Sequence, residues 1–131
     1  MAYTILIVDD SPIIRKMVRK SIDMAGVPVT AAYEAGNGLE ALAVLRAQWI
    51  DIVFADLNMP EMNGMQMMDE MARDSMLVST PVVIVSSEQD QDKIAELMKR
   101  GIRAYLKKPF HPEGIKAVVD QLLQGGPGAR K

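Results

Sequence analysis

Cysteine is absent from the 131 residues. That removes disulfides, thiolate nucleophiles and cysteine-ligated metals. A single histidine is too little for an imidazole metal cage or a pair of histidine acid/base groups. No apolar run approaches the length of about 18 residues that a membrane-spanning helix needs. The chain also lacks the strong basic excess of a general nucleic-acid binder, because 15 Lys and Arg face 17 Asp and Glu for a net charge of −2. The N-terminus has no basic stretch, and its apolar run is followed by Asp9 and Asp10. It reads as a strand, not a secretory signal, and the cytoplasm is the default location. What is present is apolar material, 49% of the residues, enough for one folded domain rather than a disordered chain. The chemistry must come from carboxylates, hydroxyls and lysines.

Short β-rich apolar runs alternate with segments of helical period. Tyr3–Val8 is an unbroken apolar run, as in a strand covered on both faces. A helix is expected from about Pro12 to Ala25, with Asp10 or Ser11 as cap, Pro12 in its first turn and Gly26 past its end. Its apolar residues Ile14, Met17, Val18 and Ile22 recur at helical spacing. Pro28–Glu34 reads as a weaker strand, and Asn37 as the cap of a helix through Leu39, Leu42 and Leu45. Asp51–Ala55 is a buried strand, and a turn at Asn58–Gly64 leads into a helix over Met65–Ala72. Pro81 opens the strand Val82–Val85, and a helix from about Asp90 to Arg100 stops at Gly101. Arg103–Lys107 is the fifth strand. Pro112 starts a fifth helix with Ile115, Val118, Val119 and Leu122 inward. These are five β–α units, which argue for a parallel sheet with helices on both faces. Right-handed crossovers favour an α/β, doubly wound, flavodoxin-like order 2-1-3-4-5. One domain over 1–124 is expected. The tail 125–131, rich in glycine, is expected to fray.

In an open parallel sheet, ligands sit beyond the carboxyl ends of the strands. Asp9 and Asp10 follow the first strand, Asp56 the third, Ser86 and Ser87 the fourth, and Lys108 the fifth, with Lys107 beside it. The second strand offers only Glu34 and Asn37. Two carboxylates about 4 Å apart repel by roughly 4 kcal/mol at an effective dielectric near 20, so three of them call for a cation. Lys108 supplies one charge. A hard divalent ion such as Mg²⁺, with Mn²⁺ as an alternative, would supply the rest from oxygen ligands. The same ion would serve an incoming phosphoryl group. Asp56 could then be the nucleophile that forms an acyl phosphate, with Ser86 and Lys108 on the phosphoryl oxygens. Asp9 and Asp10 alone would read equally well as solvated residues at a helix start, and Lys108 alone as a surface lysine.

Four motifs lie in order at these strand ends: Ile7-Val8-Asp9-Asp10-Ser11, Asp56-Leu57-Asn58-Met59-Pro60-Glu61-Met62-Asn63-Gly64, Val85-Ser86-Ser87 and Lys108-Pro109-Phe110. Together they resemble the receiver domain of response regulators, of the single-domain CheY-like type, over about residues 3–124. The resemblance implies that Asp56 is the phosphoacceptor, taking a phosphoryl group from the phosphohistidine of a sensor histidine kinase. It makes Asp10 and Asp56 direct Mg²⁺ ligands, with Asp9 acting through a bound water and the Asn58 backbone carbonyl completing the set. Ser86 matches the switch hydroxyl and Tyr105 the aromatic switch, and the Lys108–Pro109 bond is cis in the family. Asn58 and Glu88 match the positions that tune dephosphorylation, and an amide with a carboxylate resembles the short-lived chemotaxis type. The family docks its kinase partly on the first helix, which points to Ile13, Ile14, Arg15, Met17 and Arg19.

Some features depart from the family or lie outside its motifs. Ser87 is larger than the usual Ala or Gly and would narrow access to Asp56. Gly101-Ile102-Arg103-Ala104 lacks the paired acids of DNA-binding regulators that dimerise, so a monomer is expected, with an activation-dependent dimer as the variant. His111 reads as a surface or capping residue, and Trp49 as a cover over the core at a helix end. Seven methionines between Met59 and Met76 read as packing around the third helix, or as an adaptable partner surface. No effector domain is recognisable. Output is therefore expected through the face formed by the fourth helix, fifth strand and fifth helix, by binding an unknown protein. A relay intermediate or a phosphate sink would look the same. An aspartate-nucleophile phosphatase would need a second Asp where Asn58 stands, and a nucleotide-binding module would not put two carboxylates after the first strand. The chain is expected to catalyse only its own phosphorylation and dephosphorylation, with no nucleic-acid or membrane partner.

Overall fold

The computed structural model describes residues 2–87, 91–108 and 111–123. The elements are β1 (Tyr3–Val8), α1 (Pro12–Met24), β2 (Val29–Ala35), α2 (Gly38–Ala47), β3 (Ile52–Ala55), α3 (Gly64–Ala72), β4 (Val82–Ser86), α4 (Gln91–Lys99), β5 (Ala104–Lys107) and α5 (Pro112–Leu122). The strands form one sheet in the order β2-β1-β3-β4-β5, and every pairing is parallel. This is the doubly wound α/β arrangement expected from the alternating pattern.

Side chains alternate across a strand, which explains the unbroken apolar runs. Leu6, Val8, Val53, Ala55, Val82 and Ile84 bury one face of the sheet against residues of α2, α3 and α4, including Leu42, Leu45, Met67, Met71 and Leu97. Ile5, Ile7, Ile52, Phe54, Val83 and Val85 bury the other against Val18 and Ile22 of α1 and Ile115 and Val119 of α5. The central strands β1, β3 and β4 therefore have little freedom to slip, because a one-residue shift would exchange the two cores. Their ends are fixed points on which a site can be built.

The boundaries follow local chemistry. Ser11 caps α1, its Oγ accepting the Ile14 N–H at 3.3 Å. Asn37 caps α2 through the Glu40 N–H at 2.9 Å. At α3, Asn63 and Gln66 form a reciprocal capping box, with bonds of 2.9 and 3.0 Å, so the helix begins at Gly64, one residue before the expected start. β2 begins at Val29, although the Pro28 carbonyl still accepts the Tyr3 N–H at 2.9 Å.

Three apolar side chains stand out toward solvent, and for Trp49 this corrects the expected cover over the core. Met17 is 53% exposed; Ile14, Val18 and Ile22 share one stripe at i, i+4 spacing, and Met17 falls beside it. Leu39 is half exposed, since Gly38, Ala41, Leu42 and Leu45 already complete the inner face of α2. Trp49 is half exposed too, its indole Nε1 drawn to Asp51 Oδ1 at 3.0 Å rather than laid over the core. The methionines mainly pack. Met67, Met68 and Met71 are buried, and Met59, Met62 and Met65 flank them, while Met76 is exposed.

Candidate functional site

Register brings the polar strand ends together. Val8 pairs with Ala55, and the Asp56 N–H donates to the Val8 carbonyl at 2.9 Å. Asp9 and Asp56 thus leave adjacent strands side by side. Ser86 pairs with Lys107, and the Lys108 N–H donates to the Ser86 carbonyl at 2.8 Å. Lys108 then reaches back across the rim, its Nζ lying 3.5 Å from Asp9 Oδ2 and 3.8 Å from Asp56 Oδ1. Carboxylate oxygens of Asp9, Asp10 and Asp56 all lie within 4.8 Å of one another.

The three acids are held differently. Asp9 is buried, and its Oδ1 accepts the Ser11 N–H at 2.9 Å. Asp56 is partly buried, and its Oδ1 accepts the Leu57 N–H at 2.8 Å. Asp10 is exposed. Burial pushes the Asp56 carboxyl above its ordinary value of 3.8; Lys108 opposes that rise, Asp9 adds to it, the Leu57 amide opposes it and Asp10 adds to it. The pocket is thus under-neutralised, with three negative charges against one lysine.

These residues fit a hard divalent cation. The donors are all oxygens. The carboxylate oxygens, within 4.8 Å of one another, are close enough for one such ion to be shared among them.

Backbone packing shapes the turn after β3. A Cβ on Gly64 would lie 2.7 Å from the Asp56 carbonyl oxygen, and one on Gly38 would lie 2.9 Å from the Met62 carbonyl oxygen. The Gly64 N–H donates to the Leu57 carbonyl at 3.0 Å and the Gly38 N–H to that of Met62 at 2.8 Å. Glu61 takes a left-handed φ of 65°, which tightens the same turn. α2 and α3 therefore clamp the loop that carries Asp56.

The other predicted residues fall as follows. Ser86 is buried at the end of β4. Tyr105 is half-buried on β5, its hydroxyl donating a long 3.4 Å bond to the Ser86 carbonyl. Asn58 and Ser87 are exposed beside the pocket, and Lys107 is exposed. His111 occupies the α5 cap position without a side-chain cap bond. Glu88, Pro109 and the tail 125–131 lie outside the described residues. On α1, Ile13 is 70% exposed, and Arg19 pairs with Asp23 at 3.1 Å. Arg15 is held within the domain. Its Nη1 donates to the Asp9 carbonyl at 2.6 Å and its Nε to Glu34 at 2.7 Å. Sequence reasoning missed that bridge because it joins a helix to an edge strand 19 residues away. It also missed the buried Asp51, whose carboxylate takes the Thr4 N–H at 2.9 Å as well as the Trp49 indole.

The fold and the acidic rim define a class, and comparison with known proteins agrees. The chain belongs to the response regulator receiver domain family, which it matches over residues 5–120, and it is of the CheY-like type. It is 33% identical over 122 residues to the nitrate/nitrite response regulator NarL of Escherichia coli, a match covering 93% of this chain and 55% of NarL. The chain thus spans about half the length of that regulator. It is 32% identical over 120 residues to the chemotaxis protein CheY of Pseudomonas aeruginosa, covering 92% of this chain and 95% of that one. Among solved structures it resembles chemotaxis protein CheY4 of Vibrio cholerae, with a TM-score of 0.81 and 31% identity, over 94% of this chain and all of the other. It is a receiver domain of two-component signalling, a class that binds Mg²⁺ in an acidic pocket and works with histidine kinases and downstream targets. Among the described residues, no helix is long and apolar enough to cross a membrane.

Proposed function

We propose that Asp56 accepts a phosphoryl group from the phosphohistidine of a sensor histidine kinase, and that the chain signals by protein–protein binding while phosphorylated. What supports this is the triad of carboxylates within 4.8 Å facing Lys108 at 3.8 Å from Asp56. An Asp56 carboxylate oxygen attacks phosphorus, a P–O bond forms, the P–N bond breaks, and the imidazole leaves with its electron pair. Asp10, Asp56 and the Asn58 carbonyl would hold Mg²⁺, with Asp9 beside them. A bound Mg²⁺ supplies charge neutralisation at the phosphoryl oxygens. Lys108 pairs with one phosphoryl oxygen, and the Ser86 hydroxyl bonds another.

Output lies on the α4-β5-α5 face, with Ser86 and Tyr105 as the two-state element. The Tyr105 hydroxyl and the Lys108 N–H both converge on the Ser86 carbonyl, so a shift at Ser86 is felt on β5. Asn58 and Glu88 govern water access and give a short-lived phosphoryl group of the chemotaxis type. The chain transforms no separate substrate, since Asn58 cannot serve as the general acid of a phosphatase. It works in the cytoplasm.

Incubation with acetyl phosphate and Mg²⁺, followed by mass spectrometry, tests the core of this. Wild type gains one phosphoryl group and Asp56→Asn gains none. Equal labelling of the variant, or labelling of wild type in excess chelator, would overturn it. A partner captured only by beryllofluoride-activated wild type identifies the output.

A further inference from the structure

We infer that Arg15 is a positioning residue of the acidic pocket, standing in for a missing strand donor at the Asp9 carbonyl and thereby aiming Asp10. The β1–β2 ladder ends at Val8 and Ala35, with the Asp9 N–H still donating to the Ala35 carbonyl at 3.0 Å. The next rung of a parallel ladder would run from the Asn37 N–H to the Asp9 carbonyl, and that bond is not formed. The Gly36 N–H is taken by Glu40 Oε1 at 2.9 Å, and the chain turns into α2 at the Asn37 cap. The Asp9 carbonyl is therefore left at the end of the ladder, and Arg15 Nη1 fills the place at 2.6 Å.

The same guanidinium is anchored through Nε to Glu34, which pairs in register with Ile7. One side chain thus ties α1, the end of β1 and the edge strand β2. The Arg15 side chain is only 18% exposed. Charge-assisted bonds this short are roughly twice as strong as neutral ones, and the planar fork fixes a direction that a lysine cannot.

The peptide gripped in this way joins Asp9 to Asp10. The Asp9 carboxylate has its own restraints in the Ser11 N–H and Lys108. The Asp10 carboxylate accepts no hydrogen bond among the described residues, so its direction is set by its backbone. Rotation of that peptide would swing Asp10 away from Asp56, and Arg15 opposes the rotation.

This inference rests on the proposed cation site, and its test separates the two. Mg²⁺ titration by calorimetry is run on wild type, Arg15→Gln, Arg15→Lys, Glu34→Gln and, as an exposed control on the same helix, Lys16→Gln. Arg15→Gln is expected to weaken Mg²⁺ by roughly tenfold, the lower range for loss of a group that orients ligands. Charge alone predicts the opposite sign, because removing a cation near a dication site tightens binding. Arg15→Lys keeps the charge but loses the fork and falls between; Glu34→Gln weakens binding less, and Lys16→Gln leaves it unchanged. With acetyl phosphate as donor, Arg15→Gln needs more Mg²⁺ but reaches the wild-type rate at saturation. Should Arg15→Gln fail to fold, Arg15→Lys and Glu34→Gln carry the test.

Mg²⁺ affinity equal to or tighter than wild type in Arg15→Gln overturns the inference. So does normal phosphorylation by acetyl phosphate at limiting Mg²⁺ with a defect only toward a histidine kinase, which marks a docking residue. Failure of wild type itself to bind Mg²⁺ removes the cation site and this inference together. Wild-type binding with unchanged variants removes this inference alone.

Discussion

Replacing Asp56 with Asn should stabilise the metal-free protein, although it abolishes the phosphoacceptor. Lys108 at 3.8 Å from Asp56 contributes about 4 kcal/mol of attraction at an effective dielectric near 20. Asp9 and Asp10, each with an oxygen within 4.8 Å, oppose it with about 3.5 kcal/mol apiece on the same scale. Asp10 is exposed, so solvent screening cuts its share. The balance still disfavours the Asp56 charge by roughly 1–2 kcal/mol, before any cost of burial. At roughly 3–5 °C per kcal/mol for a domain of this size, Asp56→Asn should raise Tm by about 3–10 °C in excess chelator. The pH dependence has a definite sign. The folded pKa lies above 3.8, so between the two values the native state binds more protons than the unfolded chain, and stability falls as pH rises. The stability deficit is absent below 3.8 and complete above the folded value. The gap between variant and wild type should therefore narrow toward about pH 4 and be widest near neutrality, and saturating Mg²⁺ should close it by stabilising wild type. Scanning calorimetry reads all three effects. A variant Tm at or below wild type in chelator near neutral pH, or a gap that ignores pH, would refute the electrostatic reasoning.

Other perturbations test other links. Gly64→Ala forces a Cβ against the Asp56 carbonyl and should cost about 1–3 kcal/mol while slowing acetyl-phosphate labelling, which urea titration and labelling rates measure together. Asn63→Ala removes half of the α3 capping box and should cost about 1 kcal/mol by urea titration, with Mg²⁺ affinity retained. Lys108→Met leaves three acids without a counter-charge. It should lower the metal-free Tm and make it more sensitive to added salt or Mg²⁺, and unchanged salt sensitivity would count against the lysine's role.

The fold was legible because the buried strands read as unbroken apolar runs and the caps lie in plain sight at Ser11, Asn37 and Asn63. The acidic rim was legible for a related reason: in a parallel sheet the residue after each strand is placed by topology. What could not be read was how each acid is held. Nothing in the motif Asp9-Asp10 says that Asp9 is buried while Asp10 stands exposed, since that depends on Lys108 arriving from a distant strand. In the sequence Arg15 reads only as one of the docking positions on the first helix. Its partners, the Asp9 carbonyl and Glu34, become neighbours only when β2 docks beside β1. Trp49 stands further out than its place at a helix end suggests because its indole N–H goes to Asp51, a partner that spacing does not reveal.

The strand order also gives the pocket a history during synthesis. A chain made from its N-terminus produces β1 and β3, neighbours in the finished sheet, well before β5. All three carboxylates can meet while the residue that counters them is still to come. Lys108 follows the last strand at the far edge, so the half-built domain carries its electrostatic conflict without that lysine. Until that strand docks, a cation from solution can take its place, and the ionic conditions of folding bear on this domain before any signal reaches it.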